Sequence, residues 1–459
     1  MSKFIVIDRD TAYLLPPSLQ DWLSEDHLAR FVVEVIDQLD LSGMVAQYAG
    51  RGSKAHHPAT LVALLVYGYA TGVFSSRKIE RQSYDSVAFR FIAAGSHPDH
   101  DTIATFRRRF LAEIEALFMQ VLELAQEMKL LKLGTVCLDG TKIHANASKH
   151  SALSHGHIER IEAQLRAEVQ ELLALAEAAD KSDVPEGVVL PDEIKRREDR
   201  IHVMAAAKDK IALRAAERHQ REKQDFDEKI AAREAKQAQS GKRPGGKALR
   251  APEPGPSVAD QVNLTDEDSR IMALSGGGFE QAYNAQAAVD AETMLVVATR
   301  LTQAPNDKEQ VLPMLELLSQ PSLPAGAGTI ATLIADTGYC SQANIKACEA
   351  VGIEPLIAVA RQAHHPDWRE RFSEPQPLSP DASVVETMAH KLKTKAGRTR
   401  YALRKQTVEP VFGIIKSVMG FRQFLLRGID QARAEWSLVC MAWNLKRMAV
   451  LRRKTALSP

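Results

Sequence analysis

The sequence predicts a mixed α/β protein: a mixed sheet with flanking helices, an all-helical N-terminal domain, and a long helical insertion after the first strand. Three observations predict it. Apolar runs of strand type stand at 131–143, 282–290, 293–302, 329–336 and 352–360. Helical stretches separate the last three runs, so a hairpin is followed by a βαβαβ order, the pattern of a mixed sheet. Between the first and second runs lies a segment dominated by Ala, Glu, Lys, Arg and Gln with few aromatics, the composition of long helices.

The bulk numbers bound the rest. A chain of 459 residues suits two or three domains at about 150 residues each. Its 45% hydrophobic and 25% charged content is that of an ordinary globular chain. No apolar run approaches the ~20 residues of a membrane span. The N-terminus has only a four-residue apolar run before charges interrupt it and does not read as a signal peptide. The four cysteines form no CxxC pair, so neither zinc nor a disulfide framework is expected, and three sit in apolar surroundings. A cytoplasmic location follows as an expectation.

In order, Ser18 to Leu41 carries apolar residues at helical spacing, broken near Ser24-Glu25-Asp26. Pro58 to Gly72 is a second helix with Pro58 in its first turn. A third starts at Ser75-Ser76, and a fourth is capped by Asp101 and carries Arg107, Arg108 and Arg109. Short helices, turns and a triple Arg over residues 1–130 suit a helix-turn-helix-like DNA-binding module. The first strand ends at Asp139. Residues 151–261 are the insertion, with helices from His157 to Ala179 and from Asp192 to Lys236, then a Gly/Pro/Ser-rich linker from Ser240 to Ser257. Asp290-Ala291-Glu292 turns the hairpin. A helix from Asp307 to Leu318 is capped by Asn306 or Asp307, with Asp307 read as a cap rather than as a fourth metal ligand, and a helix from Ser341 to Val351 is capped by Ser341. Residues 361–400 read as a polar loop, and the last 50 as helix. The sheet domain is thus discontinuous, 131–150 with 262–454.

Net charge is +1, but it is segregated. From His390 to Lys454 there are 16 Lys and Arg against 3 acids, a net of +13, and from Lys195 to Arg250 the net is +8. Such asymmetry points to a polyanionic partner.

Two strands end on aspartate: LKLGTVCLDGTKI at Asp139 and TIATLIADTGYCS at Asp336. Asp-Gly and Asp-Thr-Gly are good turn sequences, which explains one such residue. Two at equivalent strand ends, where open sheets carry their chemistry, point to a metal site. Paired carboxylates repel unless a cation holds them, and hard divalent ions accept one or two carboxylates with room for phosphate oxygens. The third ligand is placed at Glu409, one of the three acids in the basic segment. Lys416, seven residues on, shares its helical face and suits a phosphate.

Lesser features carry less. His144, His150, His155 and His157 lack metal spacing. Gly276-Gly277-Gly278 lacks the Lys-Ser/Thr of a phosphate loop. Trp436 and Trp443 read as core, and Trp368 as a base-stacking candidate.

CLDGTKIHANAS, IADTGY and RKQTVEPVFGIIK, in that order, resemble the three acidic motifs of the DDE-type transposases of bacterial insertion sequences. HPATLVALLVYGYATGVFSSRKIE and PDHDTIATFRRRF resemble the helical domain that precedes the catalytic domain there. The family also carries a Tyr–Arg–Glu–Lys signature. Glu409 and Lys416 match its spacing, whereas the Arg position falls on Lys405, with Arg404 and Tyr401 one residue off register. The resemblance implies an RNase H-like core holding two Mg²⁺ ions, or Mn²⁺, on Asp139, Asp336 and Glu409. It implies double-stranded DNA as substrate, cut at transposon ends and joined to target by the freed 3′-hydroxyl. DNA phosphate contacts are expected from Lys416, Lys405, Arg404, Tyr401, Arg107 and Arg108. A homodimer on paired ends, associated with the bacterial nucleoid, is the expected assembly. A metal-dependent nuclease without strand transfer and a catalytically inactive DNA-binding repressor are the alternatives.

Overall fold

The computed structural model describes residues 18–48, 54–178, 189–241, 245, 249–274, 276–319, 323–324, 326–360 and 373–456. The chain divides into two compact units, Met1–Asn146 with Met272–Pro459, and Ala147–Ile271. Trp368 lies outside the described residues.

The first unit opens with α1 (Leu28–Ile36), α2 (Ser42–Ala46), α3 (Pro58–Thr71), α4 (Ser76–Asp85), α5 (Val87–Ile92), α6 (His100–Arg109) and α7 (Leu111–Glu127). Apolar residues nearly all round bury α3, and Gly72 ends it in the left-handed conformation at φ 84°. Asp99, not Asp101, caps α6. Its backbone is extended, and its carboxylate accepts the Thr102 N–H at 2.7 Å. Asp101 is already inside the first turn, where its charge still suits the helix dipole.

β1 (Thr135–His144) follows. It does not stop at Asp139 but runs five residues past it, because the strand Phe279–Asp290 pairs with it as far as His144 opposite Ala282.

The chain then forms the second unit: β2 (Ala152–Ser154), α8 (His155–Ala178), α9 (Leu190–Ser240) and β3 (Gln261–Asn263). The two long helices pack around Ile158, Met204, Ala207, Ile211 and Val262. Lys208 to Glu162 at 3.0 Å and Arg218 to Asp260 at 2.6 Å tie α9 to its neighbours, and β2 pairs with β3 antiparallel.

β4 (Arg270–Ala273), β5 (Phe279–Asp290), β6 (Val296–Thr302), α10 (Val311–Leu318), β7 (Thr332–Ala335), α11 (Gln342–Ala350) and β8 (Glu354–Ile357) complete the strands. In the sheet β1 lies between antiparallel β5 and parallel β7. β8 runs parallel to β7, and β6 runs antiparallel to β5. It is a mixed sheet, as expected. Ser341 caps α11 by accepting the Asn344 N–H at 3.1 Å. Helix α10 starts at Val311, four residues after Asp307, so Asp307 is no cap.

Of the loop expected at 361–400, residues 361–372 lie outside the described residues and the rest is largely helix, α12 (Val384–Lys393) and the start of α13 (Lys395–Gln406); α14 (Val408–Gly413) follows as the expected helix that carries Glu409. Ser383 and Glu386 form a reciprocal capping box on α12, and Thr394 caps α13. The polar composition that resembled a loop is that of half-exposed helices. A π-helical turn, Ile414–Val418, continues α14, and α15 (Ile429–Ala456) closes the described chain.

Helix α15 packs on the sheet. Trp436 is fully buried and donates to the Gln286 carbonyl at 3.0 Å, and Trp443 donates to that of Met294 at 2.9 Å. Both belong to the core. The N-terminal helices join the same unit through a buried chain: Arg107 Nη1 donates to the Tyr69 hydroxyl at 2.9 Å, which donates to Glu435 Oε1 at 2.6 Å. No single described helix is long and apolar enough to cross a membrane.

Candidate active site

The register of the parallel pair β1–β7 sets Leu138 opposite Ala335. The next residues on these strands are Asp139 and Asp336, so the ladder brings them side by side. Each also makes the turn contact its sequence predicts. Asp139 Oδ1 accepts the Gly140 N–H at 2.8 Å, and Asp336 Oδ1 accepts the Gly338 N–H at 2.8 Å. That leaves both Oδ2 atoms facing one cation, the Arg404 guanidinium. Arg404 Nη2 stands 2.7 Å from Asp139 and 3.7 Å from Asp336, and Nη1 donates to Glu409 Oε1 at 2.7 Å.

The three acids singled out in the sequence therefore meet on one arginine, itself only 14% exposed. Burial pushes the Asp139 carboxyl up to about 6, with Arg404 opposing the rise and the charges of Asp336 and Asp307 adding to it. Burial works against the charge on Arg404, but Asp139, Tyr401, Asp336 and Glu409 together raise its pKa above the usual arginine value. Tyr401 is raised mainly by burial and feels the same three acids.

The register offset in the sequence has a local cause. Helix α13 ends at Thr407, whose φ of −115° and ψ of −84° break the helix before α14 begins. The break absorbs the extra residue. Arg404, not Lys405, reaches Glu409, and Lys405 is exposed and makes none of these contacts. Lys416 sits in the π turn, where its Nζ donates to the Lys142 carbonyl at 2.9 Å. Burial lowers the pKa of both lysines, and Lys416 is lowered further by Arg422 and Lys142. The segment after this turn is stitched to the end of β1. Arg422 O accepts the His144 N–H at 3.1 Å, and the Phe424 N–H donates to His144 O at 2.8 Å.

Arg107 and Arg108 lie elsewhere. Arg107 is buried and is held by Tyr69, whereas Arg108 is exposed.

A residue read in the sequence as a helix cap belongs to the site. Asp307 Oδ1 accepts the side-chain amides of Asn284 at 2.7 Å and Gln286 at 2.6 Å. A Cβ on Gly140 would come within 2.5 Å of that oxygen, and one on Gly338 within 3.6 Å of Asp307 Oδ2. The sequence offers both readings of Asp307, cap and fourth ligand, and favours the cap, whereas the helix starts only at Val311.

The donor set suits a hard divalent cation: carboxylate oxygens, no thiolate, and a buried Asn284 Oδ1 with no hydrogen-bond partner. As the side chains stand, no three His, Cys, Asp or Glu residues among those described are grouped to hold a metal ion. The Arg404 guanidinium fills the space between the acids.

Two family models match the chain: the Transposase DDE domain over residues 246–445, and the Transposase domain (DUF772) over residues 17–109. The first span holds Asp336, Arg404, Glu409 and Lys416, and Asp139 falls between the two. Neither a curated protein nor a solved structure matches.

Proposed function

The chain belongs to the insertion-sequence DDE transposases, DNA-binding enzymes that cleave and transpose DNA, and we propose that Asp139, Asp336 and Glu409 are its catalytic acids. The family generally uses divalent metal ions. In this reading the three acids would hold two Mg²⁺ ions in an RNase H-like domain, and a dimer would process paired ends. The observation that carries it is the convergence of the three carboxylates, far apart in sequence, on the Arg404 guanidinium.

When bound, the ions supply Lewis-acid activation and charge neutralisation for in-line displacement at phosphorus. The chain's own residues do the rest. The β1–β7 ladder fixes the spacing of Asp139 and Asp336. Glu409 comes from the first turn of α14 and closes the third side. Lys416, held over the Lys142 carbonyl, offers its ammonium to a DNA phosphate. Arg404 is the counter-charge of the acids, and its planar guanidinium suits a bidentate contact with a phosphate. In the first reaction a water oxygen bonds to phosphorus as the P–O3′ bond breaks. This leaves a 3′-hydroxyl on the transposon end and a 5′-phosphate on the flank. In the second, that hydroxyl oxygen bonds to a target phosphorus, and the displaced target O3′ leaves with a proton.

The test uses the full chain, Mg²⁺, DNA carrying the element's terminal repeats, and precut ends with free 3′-hydroxyls. Asp139→Asn, Asp336→Asn and Glu409→Gln should each abolish cleavage and joining while DNA binding persists. Unchanged cleavage in any of them removes that residue from the mechanism. Cleavage by the wild type without joining of precut ends makes the protein a nuclease.

A further inference from the structure

We propose that Asp307 is a fourth acidic ligand of the cation site, an inference that rests on reading Asp139 and Asp336 as ligands. Asp307 lies between β6 and α10 and does not cap that helix. Its Oδ1 is fixed instead by two neutral amides on β5, those of Asn284 and Gln286. Gln286 is itself oriented by Tyr339, whose hydroxyl donates to its Oε1, and Tyr339 belongs to the turn that follows Asp336. Neutral donors aim a carboxylate without cancelling its charge, so Oδ2 keeps a full appetite for a cation.

The direction of that oxygen is the second part of the argument. A Cβ on Gly338 would lie 3.6 Å from Asp307 Oδ2 and 3.0 Å from Asp336 Oδ1. Both carboxylates therefore flank the same point. On the other side, a Cβ on Gly140 would lie 2.5 Å from Asp307 Oδ1 and 3.0 Å from Asn284 Oδ1. The Asn284 oxygen is buried and has no hydrogen-bond partner. An orphaned acceptor beside a carboxylate needs a cation or a donor between them. Glycine at 140 and 338 keeps that space open, next to the two aspartates. The competing role for Asp307 is as counter-charge for Lys142, which feels it together with Asp139.

The experiment is a titration of the full chain with Mn²⁺ alone, without DNA. Free ion is followed by electron paramagnetic resonance, and the metal-free melting temperature is measured alongside. Asp307→Asn keeps an oxygen for the two amides and removes the charge. It should weaken Mn²⁺ binding by about tenfold or more without lowering the metal-free melting temperature, and Asp336→Asn should weaken binding as well. Wild-type affinity in Asp307→Asn with loss in Asp336→Asn overturns the role of Asp307 and leaves the catalytic acids standing. Wild-type affinity in Asp307→Asn, Asp336→Asn and Asp139→Asn alike overturns both. Should Asp307→Asn not fold, Asp307→Glu, which displaces the carboxylate, is expected to show the same loss and is read in the same way.

Discussion

Arg404 Nη2 donates to Asp139 Oδ2 at 2.7 Å across 265 residues of sequence. This bond and its sister to Glu409 make the guanidinium the counter-ion of the acidic cluster. Replacing it with Gln leaves three like charges close together, one of them, Asp139, largely buried. In EDTA, Arg404→Gln should lose about 3 kcal/mol of stability in urea denaturation. Mn²⁺ should then restore more stability to the variant than it adds to the wild type. An equal gain in both proteins would mean that guanidinium and metal do not compete.

Gly140→Ala tests the crowding beside Asp139. The added methyl would meet the Gln286 amide and the Asp307 carboxylate, which are held by neighbours and cannot retreat freely. A loss of about 1–3 kcal/mol is expected, read by denaturant melts, together with loss of end cleavage. A wild-type melt would mean that the amide and carboxylate yield at no cost.

Lys416 and Arg107 are both basic, and their surroundings set them apart. Lys416→Ala should weaken DNA binding and flatten the slope of log affinity against log salt by about 0.9 for one phosphate contact. Arg108→Ala, at an exposed position, should act in the same direction. Arg107→Ala should leave the slope alone and lose about 2 kcal/mol of stability, because it strips the buried Tyr69–Glu435 pair of its partner. A changed slope in Arg107→Ala would put that residue on DNA after all.

Glu435 gives a pH dependence. Burial raises its carboxyl above the ordinary 4.5, against Tyr69, Arg107 and the Leu425 and Leu426 N–H groups. As pH rises, the unfolded chain gives up this proton first. Between the two pKa values the folded state binds more protons, so stability falls with rising pH and levels off above the folded value. The stability of wild type relative to Glu435→Gln should therefore decline as pH rises through and above the ordinary carboxyl value of 4.5, levelling off above the raised folded-state value. A flat or rising difference would mean that the carboxyl is ionised in the folded protein throughout.

The sequence carried the acids because each sits on a feature with a local signature: an apolar run broken by aspartate, or an acid isolated in a basic stretch. It carried the mixed sheet because strand and helix periods alternate cleanly after residue 282. It misplaced what depends on neighbours. β1 outruns its own apolar stretch because β5 is long enough to keep pairing with Thr141, Lys142 and Ile143. Arg404 takes the site because Thr407 breaks a helix, which no spacing rule anticipates. The two helices between Val384 and Gln406 announced themselves only through the Ser383–Glu386 box, a four-residue signal inside a polar stretch. Asp307 resembled a cap because it stands near the start of a helix, and its amide partners lie on another strand.

The pairing of His144 with Ala282 has a consequence for chain length. The polypeptide departs for Ala147–Ile271 shortly after His144 and re-enters the first unit at Met272, ten residues before it pairs with His144 at Ala282. An excursion whose two ends are already clamped can lengthen, shrink or be exchanged with little added entropic penalty. A short turn joining these two strands would give a trimmed protein that still carries Asp139, Asp336 and Glu409 on the elements of the first unit.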